Sequence, residues 1–208
     1  MPFDDADFER ASRGLIAQHP TGVIAGPFGP VWDINRYDFI KRDEPNPETV
    51  NPSLWRQAQL NNIHGLFEVA PKVWQVRGYD LSNITFIEGD TGWVIIDPLT
   101  SPECAAACLE LANETLGERP VVAVIYTHSH TDHFGGVAGV ITQEQVDAGE
   151  CRIIAPEHFM TEAVAENVIA GFAMARRAGY LIRAAVAVQP KGPHRLRTGR
   201  AVPLSAPA

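Results

Sequence analysis

Three of the seven histidines in this chain fall within six residues, in the segment Thr127-His-Ser-His-Thr-Asp-His-Phe-Gly-Gly136. Imidazole and carboxylate groups are ligands of divalent metals, and a bound metal compensates the polarity of such a dense set. The spacing is HxHxDH, in which His128 and His130 alternate and can face one ion, while Asp132 and His133 are offset toward a second position. The segment therefore predicts a metal site in preference to a polar turn with solvated histidines.

The neighbouring elements are suited to position these side chains. Residues 121–126 form an apolar run typical of a buried strand, so the histidines begin at its carboxyl end. Gly135 and Gly136 are expected to allow a tight turn. Asp97 ends the preceding strand and is a candidate second-shell acceptor for a ligand histidine, although a simple strand-end turn before Pro98 explains it equally well.

Strand and helix patterns alternate along the chain, which predicts an α/β class with a mixed sheet. A helix capped by Ser101 is expected to end at Gly117. A further helix is expected from about Gly136, and a long helical stretch from Pro156 to about Arg177. The remaining predicted elements are a short helix over 51–60, strands at 73–76, 121–126 and 152–155, and a hairpin formed by 83–87 and 93–96.

Composition and charge exclude several classes of protein. The 208 residues suffice for one core, with 17 basic and 25 acidic residues giving a net charge of −8. Residues 181–208 hold five of the basic residues and none of the acidic ones, so the first 180 residues are strongly acidic and disfavour nucleic-acid binding. No apolar run approaches the roughly 20 residues of a membrane span. The acidic first fourteen residues do not resemble a signal peptide, which predicts a cytoplasmic protein, or a periplasmic or secreted one if a signal lies upstream.

The three cysteines are interpreted as buried reduced thiols. Their number is odd, and Cys104 and Cys108 are spaced as neighbours on one face of the predicted helix. Neither a disulfide nor a structural zinc site is expected from them.

With these motifs the chain resembles the metallo-β-lactamase superfamily, whose hallmark is the HxHxDH loop on an αββα sandwich. Longer runs are similar to its alkylsulfatase branch, which hydrolyses linear primary alkyl sulfates such as detergents. The similarity covers about residues 5 to 180. The runs that carry it are Asn51-Pro-Ser-Leu-Trp-Arg-Gln-Ala-Gln-Leu60, Gln75-Val-Arg-Gly-Tyr-Asp-Leu-Ser-Asn83, Asp97-Pro-Leu-Thr100, Tyr126-Thr-His-Ser-His130 and Ala165-Glu-Asn-Val-Ile-Ala-Gly171.

The resemblance implies a binuclear zinc site and a sulfuric ester hydrolase. His128 and His130 would bind one zinc, and Asp132 with His133 the other, with Asp132 also expected to be catalytic. Water would be the nucleophile, and the C–O bond of the alkyl sulfate would break. Members of the branch typically form homodimers. The residues that contact substrate are not assigned.

The resemblance also sets the expected domain organisation. Residues 1–60 are interpreted as an N-terminal extended arm with a short helix, 61–180 as part of a metallo-β-lactamase-like domain, and 181–208 as a divergent basic tail. Members of the branch are about three times longer and carry further ligands, two Glu and one His, in their later sequence. The first half of the fold is therefore expected here. Two alternatives stay open: an incomplete, inactive metal-binding chain, and a lactamase- or thioesterase-like hydrolase based on the HxHxDH loop alone.

Overall fold

A seven-stranded mixed sheet organises the computed structural model, which describes residues 5–182. The strands lie in the order β1-β4-β5-β6-β7-β8-β9, and β2 with β3 forms a separate antiparallel hairpin. The strand bounds are β1 Leu15–Ala17, β2 Val23–Gly26, β3 Gly29–Asp33, β4 Gly65–Ala70, β5 Val73–Arg77, β6 Ile84–Glu88, β7 Trp93–Ile96, β8 Val121–Ile125 and β9 Arg152–Ile154.

The sheet changes from antiparallel to parallel pairing at β7. The strands from β1 to β7 pair antiparallel, whereas β7, β8 and β9 run parallel. In the parallel pair Ile96 lies opposite Ile125, so β7 and β8 end side by side. This register brings Asp97 next to the start of the histidine segment, because the carboxyl ends of parallel strands share one edge of a sheet.

Helix α3 covers the sheet and closes the core. Ser101 caps it by accepting a hydrogen bond from the Cys104 backbone N–H, and Gly117 follows its last residue. The indole N–H of the fully buried Trp93 donates to Asn113 Oδ1 at 2.8 Å, which fixes the helix to β7. The helices are α1 Ala6–Ser12, α2 Pro52–Asn61, α3 Pro102–Leu116, α4 Gln143–Asp147, α5 Phe159–Val164 and α6 Gly171–Ile182, with a π-helical turn over Ala165–Ile169.

The α/β class with a mixed sheet is confirmed, as are the hairpin of β6 and β7 and the Ser101-capped helix. The prediction of a helix from about Gly136 is wrong. Only a short 3₁₀ turn, Val137–Gly139, forms there before α4. The long helix from Pro156 is interrupted by the π-helical turn.

The segment interpreted as an extended arm contributes more structure than expected. Its strand β1 joins the main sheet by pairing with β4, and its β2–β3 hairpin places Ile24 and Trp32 in the same core as α3. The short helix over 51–60 is confirmed as α2, with Asn51 as its cap. The predicted boundary at residue 60 stays a prediction.

The three cysteines are free and buried, as predicted. Burial raises the pKa of Cys104 to about 12 and that of Cys108 well above its ordinary value, so both remain protonated and unreactive at neutral pH. Among the helices of residues 5–182, none is long and apolar enough to cross a bilayer.

Candidate metal centre

The HxHxDH loop lies at the carboxyl edge of the parallel strands. It leaves β8 after Tyr126, whose backbone N–H donates to the Ile154 carbonyl of β9. A 3₁₀ turn over Thr131–His133 then folds the loop back, with the His133 N–H bonded to the His130 carbonyl. The loop is thus held between two parallel strands at its start and by its own turn in the middle.

Three imidazoles converge in this loop. The ring centroid of His128 is 4.5 Å from that of His130 and 4.0 Å from that of His133. The side chain of His130 is 57% exposed and that of His133 is 22% exposed, so the cluster opens to solvent on the His130 side. Ligands and water can therefore reach the rings from that side.

Asp97 joins the loop to the end of β7. Its carboxylate accepts hydrogen bonds from the backbone N–H and the hydroxyl of Thr127, at 2.8 and 2.7 Å, and lies 2.8 Å from His133 Nδ1. The residue is buried and has a φ of 56°, a conformation that Asp and Asn tolerate better than most residues. The sequence offered two explanations for Asp97, a turn at the end of the strand and a hydrogen-bond acceptor for a histidine. In the structure Asp97 does both.

The hydrogen bonds around Thr127 fix the proton on His128. The Thr127 hydroxyl donates its only proton to Asp97, so it can only accept from His128 Nδ1, 2.9 Å away. Nδ1 of His128 then carries the hydrogen, and Nε2 keeps its lone pair. Burial, together with His133 and His130, lowers the pKa of His128, which favours the neutral ring that a metal needs.

Asp132 lies beside His133 at the far end of the cluster. Its Oδ2 is 3.4 Å from His133 Nε2, and its side chain is 30% exposed. The Ser82 hydroxyl donates to the backbone carbonyl of Asp132 and so connects the loop to the segment that precedes β6. The side chains of Asp132 and His133 are therefore adjacent.

Buried Asp80 holds the segment before β6 against the turn after β7. It accepts hydrogen bonds from the Thr100 N–H and hydroxyl, at 2.9 and 2.8 Å, and from the Leu81 N–H. Burial raises the pKa of this carboxyl group. No role for Asp80 was predicted from the sequence, because a buried carboxylate bonded to distant backbone groups leaves no local spacing pattern.

Gly135 and Gly136 allow close packing of backbones where a tight turn was expected. A Cβ on Gly136 would lie 2.1 Å from the Pro98 carbonyl oxygen, and one on Gly135 would lie 2.4 Å from that of Thr100. The φ of Gly136 is −88°, which any residue can adopt. These glycines are therefore required by space and not by backbone conformation.

Two residues of the π-helical turn also contact the loop, and the sequence reasoning did not identify either as part of the site. Glu166 Oε1 lies 3.4 Å from His130 Nε2, and Asn167 Oδ1 accepts a 2.6 Å hydrogen bond from the Thr131 hydroxyl. They are more than thirty residues from the loop, so only tertiary structure places them there.

The other described histidines lie apart from the cluster. His158 is exposed, and the rings of His19 and His64 lie 6.0 and 5.7 Å from that of Tyr79. His194 lies outside the described residues. A cleft of about 400 Å³ borders the Asp80 segment, and its lining includes Arg77 as well as Asp7 and Asp80 but no residue of the histidine loop.

The donor types of the loop fit zinc, since neutral imidazoles and a carboxylate are its common protein ligands. Their arrangement is not that of a formed site: among residues 5–182, no three His, Cys, Asp or Glu side chains are placed to hold one metal ion. Nδ1 of His128 is hydrogen-bonded to Thr127, and Nδ1 of His133 to Asp97. Nε2 of each ring is therefore the nitrogen that can bind a metal.

The comparisons agree with this fold and loop. Residues 77–199 match the model of the metallo-beta-lactamase superfamily. The chain belongs to this superfamily, which implies metal binding, generally of zinc. Within it, a linear primary-alkylsulfatase from Pseudomonas sp. is 54% identical over 183 residues, which are 87% of this chain and 27% of that protein.

Two further comparisons identify the same branch. An alkyl/aryl-sulfatase of Saccharomyces cerevisiae is 50% identical over 86% of this chain and 28% of its own length. The structure of the stereoselective inverting sec-alkylsulfatase Pisa1 from Pseudomonas sp. superposes with a TM-score of 0.83 at 53% identity, covering 89% of this chain and 29% of that one. The resemblance to alkylsulfatases is confirmed, and the chain spans a little over a quarter of the length of these relatives.

Proposed function

We propose that this chain supplies the HxHxDH ligand cluster of a zinc-dependent hydrolase of linear primary alkyl sulfates. The observation that carries the proposal is the convergence of His128, His130 and His133 at the strand edge where Asp97 orients one of them. The similarity of most of the chain to alkylsulfatases supports the substrate class.

The ligand roles follow from position in the loop. His128 and His130 are assigned to one zinc ion, and Asp132 with His133 to a second. When bound, a zinc pair supplies Lewis acidity that lowers the pKa of water and stabilises negative charge on the departing sulfate. Zinc sites are usually four-coordinate, so two ions need more donors than this loop offers. The proposal places the remaining ligands outside the loop.

The residues of the chain hold protons and orient rings for this reaction. Thr127 and Asp97 keep the hydrogens of His128 and His133 on Nδ1. In the overall step, the oxygen of water bonds to the alkyl carbon, the C–O bond breaks, and its electron pair leaves with sulfate. Asp132 is the loop carboxylate assigned to take the proton that water releases. The products are the alcohol and inorganic sulfate.

A second candidate is a metal-binding chain that does not hydrolyse sulfate esters. It is favoured because no three donors among the described residues are placed to hold one ion, so a metal would be bound weakly and without the fixed geometry that two-metal catalysis needs. Activity measurements separate the two candidates.

The sharpest test places this chain in the context of a longer relative. A chimera would carry the matched segment of this chain in place of the corresponding 183 residues of the Pseudomonas linear primary-alkylsulfatase. With zinc present, it is expected to release inorganic sulfate from dodecyl sulfate. The Asp132→Ala chimera is expected to lose at least about 100-fold in kcat, as removal of a proton-transfer group commonly does.

The matched control is His158→Asn, which removes an exposed imidazole outside the loop, keeps a residue type that tolerates the φ of 63° at this position, and should leave turnover unchanged. A folded, zinc-loaded chimera without sulfate release would favour the second candidate. An Asp132→Ala chimera as active as its parent would remove Asp132 from the catalytic assignment.

A further inference from the structure

The π-helical turn Ala165–Ile169 touches the histidine loop with two consecutive residues. Asn167 accepts from the Thr131 hydroxyl at 2.6 Å, and its own amide donates to the Ala163 carbonyl at 2.8 Å, which fixes the orientation of the amide. Glu166 lies beside His130, with Oε1 3.4 Å from Nε2. A π turn adds a residue to the helical repeat and is often found at functional sites.

The carboxylate of Glu166 is well placed to influence the ring of His130. Its side chain is 25% exposed, whereas that of His130 is 57% exposed, so the acid is the more sheltered of the two. Their separation is longer than a strong hydrogen bond, and the effect is therefore electrostatic. An ionised carboxylate accepts hydrogen bonds and does not donate them. It therefore favours a hydrogen on the ring nitrogen that faces it.

This contact completes a pattern shared by all three imidazoles. His128 and His133 each direct Nδ1 to an oxygen, of Thr127 and of Asp97. His130 directs Nε2 to Glu166. Each ring thus has a nitrogen next to an oxygen of another residue, and such partners set the tautomer of metal-binding histidines. His133 differs in that its Nε2 also lies 3.4 Å from Asp132, the residue assigned to the same zinc ion.

We propose that Glu166 is a positioning residue for the metal centre: it keeps the hydrogen of His130 on Nε2 and leaves Nδ1 for the metal. Asn167 supports it by anchoring the same turn to Thr131. The inference rests on the metal site of the proposed function, but its first readout needs no metal.

The experiment compares the 208-residue chain with Glu166→Gln, Glu166→Ala and the control Glu162→Gln, which changes an exposed acid one helical turn away. Nitrogen-15 NMR of the metal-free proteins reports which nitrogen of His130 is protonated. We expect Nε2–H in the parent and control. In Glu166→Gln we expect a shift toward Nδ1–H, because the amide can donate to Nε2.

Zinc affinity, measured by competition with a chelator, is the second readout. Both Glu166 variants are expected to bind zinc about 10–100-fold more weakly, with thermal unfolding unchanged. A parent protein with His130 protonated at Nδ1, or a tautomer unchanged in Glu166→Gln, would overturn the proposal. Since the NMR result is independent of zinc, a parent that binds no metal would refute the proposed function while the tautomer still decides the role of Glu166. If Glu166→Ala fails to fold, the isosteric Gln variant carries the test.

Discussion

Replacing His128 and His130 together by Ala is expected to lower the affinity of the chain for zinc by at least about 100-fold. Loss of a single outer-shell partner already costs about 10–100-fold in metal sites, and this change removes two proposed ligands. The two rings lie 4.5 Å apart on a loop that opens to solvent. His130 is exposed and His128 is only partly buried, so stability should fall by no more than about 1 kcal/mol. Competition with a chromophoric chelator measures the affinity.

The control for this pair is again His158→Asn, which should bind zinc as the parent does. Affinity should also fall as the pH is lowered, because protonated imidazoles do not bind metal. The lowered pKa of His128 keeps that ring neutral further into the acid range than a free imidazole. Equal zinc uptake by the parent and the double variant would remove these residues from the ligand set.

Asp97→Ala is expected to have the largest effect on folding. The change leaves two Thr127 donors and His133 Nδ1 without their buried acceptor, and Ala is strained at a φ of 56°. We expect a loss of about 3 kcal/mol or more in the free energy of unfolding. For a chain of this size, that lowers the midpoint of thermal unfolding by roughly 6–12 °C.

Asp97→Asn separates the structural role from the role at the metal. Asn keeps the size of the side chain and tolerates the positive φ, so the midpoint should fall less than in Asp97→Ala. Its NH₂ group, facing His133, would push the ring hydrogen to Nε2 and remove the lone pair that zinc needs. Zinc affinity should therefore fall about 10–100-fold even where the fold is retained. An Asn variant with parental zinc affinity, or an Ala variant with a parental midpoint, would contradict this account of Asp97.

Local pattern was sufficient for the elements nearest the loop. Ser101 followed by an apolar helical face predicted α3, and the turn between two alternating strands predicted the β6–β7 hairpin. The apolar run of β8 followed by HxHxDH placed the histidines at a strand end, where the structure has them. In each case the local signal and the tertiary environment agree.

The remaining features depend on contacts that no short segment encodes. Strand β4 was not predicted. Its first three residues are buried and its last three are exposed, so buried and exposed positions do not alternate along it. The helix expected after Gly136 fails to form, since the loop backbone there packs directly on the residues around Pro98 and Ser101. Glu166 and Asp80 reach the site across the fold, so their roles could be found only from the structure.

X-ray absorption at the zinc edge, recorded on the chain with one equivalent of zinc, shows whether the loop histidines bind the metal. We expect nitrogen and oxygen neighbours at about 2.0–2.1 Å with the multiple scattering of imidazole rings, and loss of that signal in the His128→Ala/His130→Ala variant. A shell of sulfur at about 2.3 Å, which would assign zinc to the cysteines, or an imidazole signal unchanged in the double variant, would contradict it.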